Sequence, residues 1–574
     1  MPSLVAKKKG NKLYYYVVES ARVDGQPRIV HQAYLGTAEK LAEMVRDRTA
    51  PVPLAAAMRD FGLPAALWSA AQQTGVWDLL QSLWPAPGSA APSLAHYVLL
   101  AAMHRVCQPG PKTEVAEWYR QSILAALWGF APERFTAQAF CDAFEQILPK
   151  EQQDLPVEQD PLEKAQLAWL GLWKEKQLVS RRRLAYDTTN FYTYIASTNT
   201  RNQLAQRGHN KQGRHNLRQV GLSYVLDGEN GLSLCHHVYP GNVADVEEFS
   251  TALARITRML DQNQIARETV TLVLDKGSAA LANTVALEEA RLGWISALPW
   301  NQAPAELRSR AVEELPACSS AQPGVRAAGE KILVHGREHL CVVKYSASFA
   351  GEQLPSLTTS LSRVLQSLRQ LAKQLNKPGA RWKQPQIVRK IQRWLSAPFL
   401  AELIRYSLEG DADGWQLQFD FDSGAFSQLL NHRLGRTVLL TNHLDWSAEQ
   451  VVAGYAGQQA IERVFRGLKD GDWLGWDPMH HWTDRKIRIH AFYCMLGISL
   501  LHYLHKQARA AWADLSMEQL LEELEQIKQF VLLYPPQGER GPARTAYVLS
   551  QQTLPQQALV KTLALRKNLT RGAF

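Results

Sequence analysis

Leu184-Ala185-Tyr186-Asp187-Thr188-Thr189 reads as a short apolar strand that ends on a carboxylate, and Thr269 to Leu274, followed by Asp275, repeats the pattern. Between them lie two β-rich runs, Gln219 to Leu226 and Leu232 to Tyr239, joined by the turn-forming Asp227-Gly228-Glu229-Asn230-Gly231. Val246 to Leu260 then carries apolar residues at helical spacing. A helix over Ala279 to Leu292 and a strand over Trp294 to Leu298 complete the block. The predicted order is β-β-β-α-β-α-β, with acidic residues closing the first and fourth strands.

That order is the pattern of an α/β, ribonuclease-H-like mixed-sheet core, although topology alone says nothing about activity. The core is expected to occupy residues 161–300 and to resume at 437–510, beginning with a strand at Thr437 to Thr441 and a helix from Ser447 to about Lys469. Between the halves, 301–436 reads as a β-rich inserted domain. Its strands are expected at Lys331 to Val334, Leu340 to Tyr345 and Trp415 to Phe421, around a basic helical stretch from Leu357 to Leu395. Upstream, residues 1–40 read as a β-hairpin unit and 41–160 as a helical domain broken at its prolines, with a polar linker from Glu151 to Pro161. Residues 511–574 read as a helical C-terminal tail.

A chain of 574 residues is too long for one ordinary core, and 46% apolar residues with 17 tryptophans exclude a mainly disordered polymer. The formal charge of +10 suits a polyanionic partner, but a spread surplus also aids solubility, so position must decide. The basic stretch from Arg201 to Arg218, with Arg207, Lys211 and Arg214, is a concentrated candidate for DNA contact. Six scattered cysteines without a Cys-x-x-Cys pair signal neither a zinc site nor a disulfide framework. No signal-peptide pattern follows the N-terminal lysines, and Ala491 to Leu504 falls short of the ~20 apolar residues a membrane helix needs. The expectation is a cytosolic protein with no membrane partner.

Asp187 and Asp275 would emerge at one end of a shared sheet; each taken alone reads equally as a strand-terminal turn or helix-capping residue. Further along, Ile461, Val464, Phe465 and Leu468 form an apolar helical stripe. Tyr455, Gln458, Glu462, Arg466 and Lys469 follow a neighbouring face, which aims Glu462 at the sheet beside cations suited to phosphates. Alternatively, Glu462 and Arg466 form a surface pair worth roughly 0.3–0.5 kcal/mol. Asp245, after the Gly241-Asn242 turn, reads most simply as an N-cap. The paired histidines 236–237 and 480–481, and His490, have no metal-ligand spacing.

Tyr455, Glu462 and Lys469 stand at the spacing of the Tyr-x2-Arg-x3-Glu-x6-Lys signature, with Gln458 in place of its Arg. Asp187-Thr188-Thr189, Tyr239-Pro240-Gly241-Asn242 with Asp245, Leu274-Asp275-Lys276-Gly277, and His480 followed by Asp484 to His490 match further blocks in the same order. The chain thereby resembles the large group of bacterial insertion-sequence transposases of the DDE class, the IS four-like superfamily. The resemblance implies Asp187, Asp275 and Glu462 as catalytic ligands of Mg2+ or Mn2+, with two ions in the site. It also implies phosphate contacts from Tyr455 and Lys469, while Gln458 leaves one such contact in doubt, with Arg463 and Arg466 as possible substitutes. Double-stranded DNA, both terminal inverted repeats bound by the helical domain and target DNA, and a homodimer on that DNA are expected from the same source. The competing readings are a catalytically silent, transposase-derived DNA-binding regulator and a metal-free glycosidase built on a carboxylate pair.

Overall fold

The structure, a computed structural model, describes all residues except 1, 11, 24–25, 41–52, 87, 89, 150–157, 181, 209–213, 215, 276–279, 320–322, 335, 378–381, 412–413, 470–473, 537–541 and 569–574. Its strands in chain order are β1 (Pro2–Lys9), β2 (Lys12–Val23), β3 (Gln26–Thr37), β4 (Ala55–Asp60), β5 (Arg183–Thr193), β6 (Arg218–Asp227), β7 (Ser233–Pro240) and β8 (Thr271–Leu274). There follow β9 (Gly293–Leu298), β10 (Val325–Val334), β11 (Arg337–Ser346), β12 (Ile404–Asp411), β13 (Gly414–Phe421), β14 (Arg436–Thr441), β15 (Lys528–Tyr534) and β16 (Arg544–Leu549).

Every residue of β8 is buried, as a central parallel strand covered on both faces requires. It lies between β5 and β9, parallel to both, in an eight-stranded mixed sheet ordered β10-β11-β14-β9-β8-β5-β6-β7. Helices Asp245–Gln262 and Leu281–Glu289 connect β7 to β8 and β8 to β9, giving the predicted element order. At Gly221 on β6, an added Cβ would stand 2.3 Å from the Tyr239 ring, so only glycine lets that ring lie flat on the sheet. The turn from β6 to β7 is fastened by Asp227, fully buried, whose carboxylate accepts from the Ser180 and Glu229 amides, the Ser180 hydroxyl and the Asn230 amide group. Asp227→Ala removes the acceptor of two part-buried N–H groups and is expected to cost about 2 kcal/mol, read as a lower urea midpoint at unchanged slope.

The interruption of the core is narrower and more helical than its sequence suggests. Strands β10 and β11, expected inside a β-rich insertion beginning at 301, extend the main sheet, with β11 pairing antiparallel to β14 from Leu340↔Thr441 onward. The chain builds a separate unit between β11 and β14. There, helices Ala347–Leu375, Gln384–Leu395 and Ser423–His432 and the hairpin β12–β13 close around a core of their own, including Leu368, Leu371, Ile387 and Ile391.

Both chain ends also carry more strand than expected. The N-terminal hairpin is a three-stranded antiparallel sheet because β1 precedes it, turning at Gly10 (φ 65°). The C-terminal region is not wholly helical: Phe530-Val531-Leu532-Leu533-Tyr534, an apolar run rich in β-favouring residues, pairs with both β4 and β16. Most of the expected linker, residues 151–157, lies outside the described residues.

Helices between Gly62 and Ile147 share one apolar core with the sheet, and the connection is the helix Asp484–Ala508. By length and composition this helix is apolar enough to cross a membrane, yet 89% of its most apolar window is buried within the protein. It packs against Gly62–Gln73, Leu94–Cys107 and β7. At the crossing, Gly497 brings it so close to Leu94–Cys107 that an added Cβ would lie 3.0 Å from the Ala102 carbonyl.

Candidate active site

The register of β5 on β8 sets two carboxylates side by side. Tyr186 pairs with Leu274 at the end of the parallel ladder, so Asp187 and Asp275 occupy the next positions on adjacent strands. Residues at matching positions of neighbouring parallel strands project to the same face, and the strands are roughly 4.8 Å apart. Asp187 Oδ1 accepts from the Thr188 amide at 2.8 Å, which orients the carboxylate.

The third carboxylate comes from a helix packed across both strands. Instead of one continuous helix from Ser447, the structure has Ala448–Tyr455 and Gly457–Lys469, separated at Ala456. The first segment packs on β9, β10, β11 and β14, the second on β5 and β8. Arg183 donates to the Ala453 carbonyl (3.0 Å) at the end of the first segment. Gly457 approaches the turn glycine Gly228, where a Cβ on Gly228 would stand 3.2 Å from the Gly457 Cα. The break lets each segment follow its own part of the twisted sheet.

Electrostatics brings the acidic residues together. Burial and then the neighbouring charge of Asp275 push the Glu462 carboxyl above its ordinary range, while Arg466 opposes the shift. The Tyr455 hydroxyl is driven upward first by burial and then by Asp275, Glu462 and Asp187 in that order. One phenol thus senses all three carboxylates. Asp187 and Glu462 line a cleft of about 560 Å³ with Asn190, Tyr192, Arg466 and Lys469; Asp275 is not among its walls.

Among the described residues, no three acidic, histidine or cysteine side chains form a ready-made metal cage. The donor set nevertheless suits a hard divalent cation, which takes only a few carboxylates and completes its coordination with water and phosphate. The upward shift of Glu462 comes first from burial and second from the like charge of Asp275, and a bound cation would offset both.

The remaining predicted contacts divide. Lys469 is exposed at the cleft, its Nζ 5.9 Å from the Phe191 ring centre, and Arg466 is also in the wall. Arg214 stands 5.4 Å from the ring of Tyr192, another cleft residue. Arg207 is exposed but outside the cleft wall, and Lys211 lies outside the described residues. Arg463 faces away, close enough to His502 and His505 to help depress both imidazoles. Gln458, expected on the DNA-facing side, is only 2% exposed; it shares the apolar stripe, and neither of its amide atoms has a hydrogen-bond partner.

Asp245 is the residue whose reading changes most. Ala244, not Asp245, is the N-cap of the helix Asp245–Gln262, and it makes no side-chain cap. Asp245 is the first helical residue, accepts from the Tyr239 hydroxyl at 3.2 Å and lines the cleft as a further carboxylate. The Gly-Asn turn followed by three acidic residues in a first helical turn disguises it as helix-start chemistry.

A family profile described as "Transposase DDE domain" matches residues 180–500, more than half of the chain. Among solved structures, the piggyBac transposase synaptic complex with hairpin DNA is 9% identical, with a TM-score of 0.35 over 81% of this chain and 77% of that one. The Mos1 transposase paired-end complex with left transposon end is 15% identical, with a TM-score of 0.14 over 35% of this chain and 58% of that one. No curated protein matches the sequence.

Proposed function

Since the chain belongs to the family of transposases with a DDE domain, we propose that it cuts DNA at the ends of a mobile element and joins the freed 3′-hydroxyl to target DNA, using Asp187, Asp275 and Glu462. The observation that carries this reading is the convergence of the three carboxylates on Tyr455 from two adjacent strands and one helix. The strand order β9-β8-β5-β6-β7 supports a ribonuclease-H-like core, and the spacing of Tyr455, Glu462 and Lys469 supports the IS four-like group within the family.

Asp187, Asp275 and Glu462 would hold two divalent ions, Mg2+ or Mn2+. When bound, such ions neutralise charge at phosphorus and lower the pKa of the attacking water or hydroxyl. Arg466 and Lys469 steer the DNA backbone over the carboxylates, and Tyr455, which senses all three of them, is a further phosphate contact. Thr188 fixes the orientation of Asp187 through its amide. The helical region before Ile147 binds the inverted repeats, and two protomers bring the two ends together in the bacterial cytoplasm.

The test is cleavage of labelled duplex carrying the element ends, in Mg2+ or Mn2+, by the native chain and by Glu462→Gln. Cutting at the ends by the native chain, lost in the variant while DNA binding survives, is the expected result. Binding without cutting by either protein would instead mark a silent DNA-binding descendant. A second prediction needs no DNA: Mn2+ should raise the thermal midpoint of the native chain by a few degrees and leave that of Glu462→Gln nearly unmoved, because a ligand bound only to the folded state stabilises it. An equal shift in both proteins would remove Glu462 from the ion's ligands.

A further inference from the structure

Beyond the end of β5 the surface opens into a second groove, of about 810 Å³, between residues 194–201 and 477–482. Two large aromatic side chains stand out of its walls: Tyr194 is 78% exposed and Trp482 53% exposed. The Arg201 guanidinium lies 5.9 Å from the Trp482 ring centre, and among the described residues it has no acidic partner. Exposed aromatics of this size beside a cation are costly to leave in water, and isolated charge pairing does not account for them.

The walls are held in place by polar contacts. Arg218 donates to the Asn199 carbonyl (3.1 Å) and the Ser197 carbonyl (2.6 Å), and the Asn199 amide group donates to the Trp482 carbonyl (3.4 Å). Beyond Arg201 the Asp484 carboxylate accepts from the Gln203 and Leu204 amides at 2.9–3.0 Å. The loop carrying Arg201 is therefore tied to the sheet on one side and to the long buried helix on the other.

The groove and the carboxylate cleft share no wall residue but meet along the chain. Tyr192 lines the cleft and Tyr194 lines the groove. The two are two residues apart on one extended segment, about 7 Å, or roughly two nucleotide steps along a DNA strand. An aromatic face accepts any base by stacking, and an arginine beside it accepts the phosphate. In paired DNA the base faces are covered by their neighbours, so only an unpaired nucleotide offers a free face to Trp482.

We propose that this groove binds an unpaired nucleotide of the DNA strand that enters the carboxylate cleft, with its base against Trp482 and its phosphate beside Arg201. The inference rests on the DNA-cutting reading above for its partner, but its test uses binding alone. The full-length chain is mixed, without divalent ions, with a duplex bearing a short single-stranded thymine tail that carries 5-iodouracil, and with the blunt duplex as control.

The tail is expected to tighten binding by roughly five- to a hundredfold, the worth of one stacked base. Irradiation should cross-link the iodouracil to the peptide containing Trp482 or Tyr194. Trp482→Ala should abolish the gain from the tail, Trp482→Phe should keep most of it, and Arg201→Gln should reduce it; these side chains are at the surface and not part of the core. Equal affinity for tailed and blunt duplex, a cross-link to another peptide, or full retention of the gain in Trp482→Ala would overturn the proposal. Failure of the native chain to cut element ends in Mg2+ would overturn the function instead, whatever the tail does.

Discussion

Asp275→Asn is expected to lower metal-dependent DNA cutting by roughly a thousandfold or more, with DNA affinity within a factor of about three of the native value. The substitution keeps the shape of the side chain and removes its charge. Stabilisation of developing charge by a bound cation is worth several kcal/mol, and each 1.4 kcal/mol or so is a factor of ten in rate. Asp275 lies outside the cleft wall, and the cations that flank the cleft, Arg466 and Lys469, remain, so binding should survive. The same change also removes the neighbouring negative charge that raises Glu462. Glu462 in Asp275→Asn should therefore titrate lower than in the native protein, a shift measurable by NMR of the labelled carboxyl without any DNA present. Unaltered cutting by Asp275→Asn would break the proposed triad.

The second large effect is on stability in mild acid. Burial holds His96 at about 4, and His104 and His236 at about 3, while His490 lies well below its ordinary range. All four are at most 8% exposed. Both ring nitrogens of His104 lack a partner, and His490 is held neutral between the Trp476 carbonyl and the Tyr493 hydroxyl. In the unfolded chain each imidazole takes a proton near 6.5, whereas the folded chain does not, so the unfolded state binds more protons below that value. The stability is complete above about 6.5 and is lost as the pH falls toward the folded values. At pH 5.5 the loss is a little over 1 kcal/mol for each histidine and about 5 kcal/mol together. Urea unfolding at pH 7.5 and pH 5.5 should give a clearly lower midpoint at the lower pH. Equal midpoints would mean that these imidazoles are solvated or paired in solution.

The parts of the fold that could be read from the chain are those where burial leaves a periodic or unbroken signature. The strands that carry Asp187 and lead into Asp275 are central, and the unbroken apolar run that includes Leu272, Val273 and Leu274 is what a strand covered on both faces requires; Asp187 does not close its strand as expected, because β5 runs on to Thr193 by pairing with β6. Strand β10 is the sheet edge and β11 its inner neighbour, and β10 alternates irregularly between buried and exposed positions; nothing local distinguishes them from strands of an insertion. Their place is fixed by the pairing of β11 with β14, where Leu340 faces Thr441 about 100 residues later, and β10 follows by pairing with β11. Gln458 could have been placed correctly, because it stands three residues before Ile461 and seven before Phe465, on the apolar stripe as much as on the face of Glu462. The break at Ala456 had no such signal: no proline marks it, and it follows from how two helical segments fit one twisted sheet. Asp245 shows the converse error, a carboxylate whose local sequence fits a helix cap and whose surroundings put it in the cleft.

The most direct measurement is anomalous diffraction from crystals of the chain bound to its element end and soaked in Mn2+. Manganese peaks are expected within coordinating distance of the carboxylates of Asp187, Asp275 and Glu462, beside the DNA phosphate at the cut site. Manganese held elsewhere, with these three carboxylates uncoordinated while DNA occupies the cleft, would contradict the proposed triad.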